Sequence, residues 1–201
     1  MQRTLVLASS SRWRQQLLMQ LELPFETHSP NIDERRQAGE GVAEMVERLS
    51  KAKAAAVAKH YPDALIIGSD QAASLDGQLL GKPGNFERAH QQLTAQSGRC
   101  VDFHTGLCLL DSATGSLHSL TEITRVHFKH LSSTQIEAYL HAEHPYDCAG
   151  SFRSEALGIA LIAKLEGRDP SALVGLPLMA LCDLLAKAGV DVLTARALPS
   201  P

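Results

Sequence analysis

The apolar positions of the chain follow two rhythms: continuous or alternating runs that suit strands, and spacings of three and four that suit helices. Leu5-Val6-Leu7-Ala8 is the first continuous run and predicts a buried strand. Ser9-Ser10-Ser11 follows it, and Trp13, Leu17, Leu18 and Leu21 then recur at helical spacing. A serine run between strand and helix supplies an N-cap and leaves backbone N–H groups able to meet an anion. Residues 25–29 read as a second strand closed by Pro30, and Asp33-Glu34-Arg35-Arg36 as a charged loop. Val42, Met45, Val46 and Leu49 begin a helix that an Ala- and Lys-rich stretch carries to about His60, with Pro62 ending it. Ala64-Leu65-Ile66-Ile67 is the clearest buried strand, and it runs into Gly68-Ser69-Asp70-Gln71, so Asp70 is expected at its end. Asp76-Gly77 signals a turn between two short strand-like pieces. A Gly81-Lys82-Pro83-Gly84 loop precedes a helix over 86–96, and strands over 101–110 and 117–128 pair around Ser112-Ala113-Thr114-Gly115. Ser132-Ser133-Thr134-Gln135 is a capping-box pattern opening a helix to about Ala142. Residues 146–155 read as a polar loop, and a last helix after Leu176-Pro177 puts Leu178, Leu181, Leu184 and Leu185 on one face.

Strands alternating with helices predict an α/β fold, a mixed twisted sheet flanked by helices. The 201 residues suffice for a sizeable core. A single domain over residues 1–201 is expected, and the length also allows two lobes around a ligand cleft. No composition shift marks a boundary, and only the stretch after about Gly189, where Pro199 and Pro201 flank a serine, reads as a C-terminal tail. The apolar runs are too short to cross a bilayer. The N-terminus lacks the long apolar core of a signal peptide, so the cytoplasm is the expected location. A formal net charge of −3 argues against a partner of duplex nucleic acid. It leaves room for a small anion held by a few clustered cations. Cys100, Cys108, Cys148 and Cys182 form no CxxC pair and are expected as reduced, mostly buried thiols. The histidines form no HExxH pair, and His127 and His130 are expected on the surface of an alternating strand.

Ligands of open α/β folds bind beyond the carboxyl ends of strands. The segment from Ser9 to Arg14, the pair Asp70-Gln71 and the Lys82 loop occupy such positions. Phosphate chemistry needs cations and N–H donors to hold charge, and a carboxylate to bind a metal or take a proton from water. Arg14, Lys53 and Lys82 offer the first; Glu34 and Asp70 offer the second. Each also has a plainer reading: Asp70 as a helix or turn cap, Lys53 and Lys82 as solvated lysines, Arg14 and Glu34 as surface charges. No P-loop, Rossmann glycine fingerprint or GxSxG elbow is present. Read residue by residue, the chain reaches an α/β enzyme with a phosphate-friendly cleft.

An ordered set of motifs goes further. Its first members are Leu7-Ala8-Ser9-Ser10-Ser11-Arg12-Trp13-Arg14, Arg48-Leu49-Ser50-Lys51-Ala52-Lys53-Ala54 and Ile67-Gly68-Ser69-Asp70-Gln71. Gly81-Lys82-Pro83, Ser97-Gly98-Arg99, His104-Thr105-Gly106, Asp147-Cys148-Ala149-Gly150 and Val174-Gly175-Leu176-Pro177 follow. In this order, over almost the whole chain, they resemble the Maf family of nucleotide pyrophosphatases. The resemblance implies a Maf/ITPase-like fold and hydrolysis of a nucleoside triphosphate to monophosphate and pyrophosphate, with a divalent cation, Mg2+ or Mn2+. It implies that Ser9 and Arg14 hold the triphosphate, that Lys53 and Lys82 neutralise it from the side, and that Glu34 helps to bind the metal. Asp70 matches the catalytic aspartate. A free aspartate has a pKa of about 4 and is a weak base at neutral pH, whereas a metal acidifies the water it binds. Proton acceptor and metal ligand both remain open for Asp70. A homodimer is compatible with the resemblance, and the sequence sets no oligomeric state.

Departures from the commoner family pattern narrow the substrate. Arg12-Trp13-Arg14 stands for a Pro-Arg-Arg run, Asp70-Gln71 for Asp-Thr, and Ser154-Glu155-Ala156 for Ile-Gln-Gly. Trp13, Gln71 and Glu155 together resemble the branch associated with 7-methyl-GTP. Methylation at the 7-position makes the guanine ring cationic; an indole face attracts such a ring, and a carboxylate accepts from its N–H groups. Asp147-Cys148 stands where an Asp-Lys pair is usual, removing one cation from that loop. The competing expectations are a dTTP/UTP pyrophosphatase of the wider family and a non-catalytic nucleotide-binding regulator of septum formation. A phosphatase with Asp70 as covalent nucleophile lacks the usual second aspartate, since Ala72 occupies that position.

Overall fold

The computed structural model describes residues 3–195. β1 (Thr4–Ala8) leads into α1 (Arg12–Met19), β2 (Glu26–Thr27) and α2 (Val42–Ala58). β3 (Ala64–Leu75) and β4 (Gln78–Leu80) precede α3 (Phe86–Gln96), β5 (Cys100–Asp111), β6 (Leu117–Phe128) and α4 (Ser133–Glu143). β7 (Ile162–Glu166) and α5 (Leu178–Lys187) complete the order, with 3-10 turns at Ala149–Ser151, Leu157–Leu161 and Pro170–Val174. The strands form one seven-stranded sheet in the order β2-β1-β3-β5-β6-β7, with β4 on β3. β1 is parallel to β2 and β3, and the other pairs are antiparallel.

Side chains alternate across a strand, and the two faces have different partners. Leu5, Leu7, Leu65, Ile67, Leu107 and Leu109 join the buried leucines of α1 and α5 on one face. Val6, Ala8, Ala64, Ile66, Cys108 and Leu110 pack on Ala54 and Val57 of α2 on the other. At the far ends of β3, β5 and β6, a separate core brings in Ala89 and Leu93 of α3 with Ile136, Tyr139 and Leu140 of α4. The two packed halves share these long strands, so the cleft expected between two lobes lies over one continuous sheet.

The edge of β3 is where that cleft opens. β1 pairs with β3 from Ala64 to Gly68, and β4 pairs with it from Ala73 to Leu75, so Ser69 to Ala72 fall between the two neighbours. On its other edge β3 is paired with β5 throughout, including Asp70 with Gly106 and Gln71 with Thr105. The apolar run at 64–67 is therefore the first third of a longer strand, and Asp70 lies inside it. This corrects both the expectation that Asp70 stands at the end of the strand and the reading of Asp70 as a helix or turn cap. The backbone of the polar stretch satisfies its hydrogen bonds on β5, which removes the need for an apolar sequence there.

Smaller departures have similar causes. β2 is two residues long because only Glu26 and Thr27 meet β1. β7 was not expected: it is a mostly exposed edge strand with no apolar face to betray it. Ser132 and Gln135 form the capping box expected at α4. The stretch after Gly189 is less of a tail than expected, since Val190, Val192 and Ala195 pack on the first core; Pro199 and Pro201 lie outside the described residues. All four cysteines are free, Cys108 buried and the others half-buried. Among the described residues no helix is long and apolar enough to cross a membrane.

Candidate active site

Two glycines set the distance between α2 and the sheet. A Cβ at Gly68 would lie 2.0 Å from the Ser50 carbonyl oxygen, and one at Gly106 would lie 2.3 Å from that of Val46. Gly68 and Asp70 point to the same face of β3, toward α2, because they stand two positions apart in the strand with only Ser69 between them. The close approach that Gly68 permits puts Lys53 of α2 directly against Asp70. Lys53 Nζ lies 2.6 Å from Asp70 Oδ1 and 2.8 Å from Glu34 Oε1. Lys53 and Asp70 are buried and Glu34 is half exposed, so the lysine is the reverse of the solvated residue its Ala-rich helix suggests. Burial resists ionisation of Glu34, but the hydrogen bond and charge of Lys53, with Lys82 and Arg14 further off, hold its carboxyl below the ordinary value.

A cavity of about 710 Å³ opens over this trio, and every residue singled out in the sequence lines it. Ser9, Trp13 and Arg14 come from the β1–α1 turn, Glu34 from the charged loop, and Lys53 from α2. Asp70 and Gln71 come from the gap in the β3 edge, Lys82 from the loop after β4, and Glu155 from the segment before β7. Ser9 Oγ accepts from the Ser11 backbone N–H at 3.1 Å and lies 3.5 Å from an Arg14 terminal nitrogen. Ser11 caps α1 by accepting from the Arg14 N–H, which fixes that first turn at the cavity wall. Arg14 Nε donates to the Gly175 carbonyl at 2.8 Å. Burial lowers the Arg14 pKa, against the opposing pull of Asp70 and Glu34, and a guanidinium remains charged throughout the neutral range.

The geometry is that of an anion site facing a carboxylate pair. Arg14, Lys82 and the capped start of α1 line the same cavity as Glu34 and Asp70, and the Lys53 ammonium bridges the two carboxylates. A family model described as "Maf-like protein" matches residues 4–188. This chain belongs to the Maf-like family. It is 56% identical to a 7-methyl-GTP pyrophosphatase of Thiobacillus denitrificans over 95% of each chain. It is 52% identical to one of Pseudomonas aeruginosa, over 94% of this chain and 98% of the other. A solved Staphylococcus aureus Ham1 protein overlaps it with a TM-score of 0.43 at 12% identity, covering 62% of this chain and 71% of that one. That overlap is too slight to carry an argument.

Within this Maf-like fold, Gln71 lines the cavity and also engages the 170–175 turn through its amide nitrogen. It points away from α2, and its Nε2 lies 2.9 Å from the carbonyls of both Ala172 and Leu173 and 3.1 Å from Thr105 Oγ1. Thr105 Oγ1 donates to the Ala172 carbonyl, and the Ser69 hydroxyl lies 2.8 Å from that of Gly175. The donors of Gln71 are thus committed to tethering the 170–175 turn, which carries Leu173 and Val174 into the cavity wall. Glu155 is exposed on the wall, and the neighbouring Ser154 hydroxyl donates to its carboxylate at 3.2 Å.

The cation absent from the Asp147-Cys148 segment has a counterpart that the sequence did not signal. Arg153 lines the cavity, with its Nη2 3.4 Å from Asp147 Oδ1 and 3.7 Å from Cys148 Sγ. Burial pushes the Cys148 thiol up to about 11, so it stays neutral beside this guanidinium. Ser69 and Thr105 were likewise passed over as site residues. They belong to the motifs IGSDQ and HTG, but the turn they tether includes Ala172, 67 residues beyond Thr105, which no local pattern reveals.

Proposed function

We propose that this chain hydrolyses 7-methyl-GTP to 7-methyl-GMP and pyrophosphate, clearing a modified nucleotide, and that Asp70 takes the proton from the attacking water. The observation that carries the reading is the convergence of Glu34 and Asp70 on the buried Lys53 ammonium, inside a cavity that also holds Ser9, Arg14, Trp13, Lys82 and Glu155. Relatives above half identity over nearly the full chain, named 7-methyl-GTP pyrophosphatases, support the substrate.

Among the described residues no group of three or more His, Cys, Asp or Glu side chains is gathered to hold a metal. Two carboxylates are gathered, both within 3 Å of one Nζ. A site of one or two carboxylates completed by substrate phosphates and water is what Mg2+ or Mn2+ accepts, so Glu34 and Asp70 fit the cation. When bound, that cation would offset phosphate charge and acidify water.

The protein's own residues supply the remaining parts. Arg14, Lys53 and Lys82 hold the triphosphate, with the N–H groups at the start of α1 and the Ser9 hydroxyl beside them. Asp70 Oδ1 is engaged by Lys53, and Oδ2 makes no hydrogen bond to the described residues, leaving it for the water. Water oxygen bonds to the α-phosphorus, the bond from that phosphorus to the α–β bridging oxygen breaks, and pyrophosphate leaves with the electron pair. Trp13 and Glu155 select the cationic base through its ring face and its N–H groups.

The test is pyrophosphate release from 7-methyl-GTP, GTP, dTTP and UTP with magnesium, with manganese, and with a chelator. Faster release from 7-methyl-GTP and none with chelator are expected. Equal or reversed preference refutes the substrate, and undiminished turnover with chelator refutes the metal. In 18O-water the label is expected in the monophosphate, and label found only in pyrophosphate refutes attack at the α-phosphorus.

A further inference from the structure

Arg12 and Trp13 stand side by side at the start of α1, and both line the cavity. The guanidinium carbon of Arg12 lies 4.4 Å from the centroid of the Trp13 ring. Arg12 is exposed and makes no ion pair with an acidic side chain among the described residues, so the indole face is what holds its head. A guanidinium over an indole is drawn by the negative face of the ring, the same property that would draw a positively charged base. A cavity built to stack such a base on Trp13 therefore already contains a cation on that ring.

Resting on the base assignment above, we propose that Arg12 is a specificity-determining residue: its guanidinium is a resident cation on Trp13 that weakens binding of a positively charged base. A base entering on the covered face must displace the guanidinium. A base entering on the opposite face shares one ring with a like charge. Either route costs a cationic base more than its stacking on a bare indole. The opposite role, attraction of the triphosphate from the first turn of α1, is separable because it vanishes for a ligand without phosphates.

Trp13 is the one tryptophan of the chain, so emission excited at wavelengths beyond the absorption of the three tyrosines reports this ring alone. The experiment titrates wild type, Arg12→Gln and Arg12→Lys with 7-methylguanosine and with guanosine, neither bearing phosphate, and follows quenching of that emission. Acrylamide quenching of each free protein measures how far the ring is covered. Arg12→Gln is expected to raise acrylamide quenching and to tighten 7-methylguanosine about two- to fivefold, the worth of one exposed cation–π contact. Guanosine should tighten less, and Arg12→Lys should return toward wild type. Quenching by 7-methylguanosine with the same or weaker affinity in Arg12→Gln overturns the role of Arg12 and leaves the base assignment standing. No quenching in any of the proteins overturns both.

Discussion

Gly68→Ala tests whether the approach of α2 to the sheet makes the active site. The added Cβ would sit 2.0 Å from the Ser50 carbonyl oxygen, 3.0 Å from the Ala54 nitrogen and 3.1 Å from the Ala54 Cβ. Ordinary contact begins at 3.4 Å, so α2 must retreat by more than an ångström, and all three atoms belong to the helix rather than to a flexible side-chain end. Overpacking of this kind costs about 1–3 kcal/mol in stability. Lys53 rides on the same helix, three residues beyond Ser50, and its 2.6 Å contact with Asp70 lengthens beyond a hydrogen bond under such a shift. Misplacement by about 1 Å in a positioned site is enough to lower turnover on the order of a hundredfold. The assay pairs urea unfolding with kcat for pyrophosphate release, measured where the variant is fully folded. A variant with wild-type stability and wild-type kcat would refute the reasoning, because the helix would then not need its present distance from β3.

Two further substitutions probe the site from either face of β3. Lys53→Met removes the partner that holds Glu34 below its ordinary pKa, leaving burial to push it the other way; the Glu34 carboxyl, followed by carbon NMR, should titrate at higher pH than in wild type. In wild type the depressed pKa gives stability present above the unfolded value of about 4.3 and lost as pH falls through the folded one, so the stability gap between wild type and Glu34→Gln should close on acidification. Gln71→Ala frees the Ala172 and Leu173 carbonyls and should cost about 1 kcal/mol per hydrogen bond while raising KM for all nucleotides alike. A selective loss of 7-methyl-GTP over GTP in that variant would instead show that Gln71 reads the base.

The long elements were legible from their apolar patterns: α2, α3, α4 and α5 each carry one apolar face at the helical period, whereas β1 and the second half of β5 are continuous apolar runs buried on both faces of the sheet. The second half of β3 was not, because Ser69, Asp70 and Gln71 are held by pairing with β5 and by contacts to α2 and the 170–175 turn. A short edge strand such as β7 leaves no period at all. For the site, the motif order identified which residues gather, and they do line one cavity. Their pairing was hidden, since it depends on the closeness of α2 to Gly68 and Gly106. Arg153 was hidden too, because its neighbours at the wall are set by the fold of a loop.

The central claim is that Asp70, held by Lys53 within the cavity, takes the proton from the water that cleaves a nucleoside triphosphate whose base is positively charged. The direct measurement is kcat/KM for pyrophosphate release from 7-methyl-GTP by wild type and by Asp70→Asn, beside the affinity of each for the nucleotide. The account predicts a loss on the order of a hundredfold or more in kcat, with binding retained because Arg14, Lys82 and Trp13 remain. Pyrophosphate release by Asp70→Asn at the wild-type rate would contradict it.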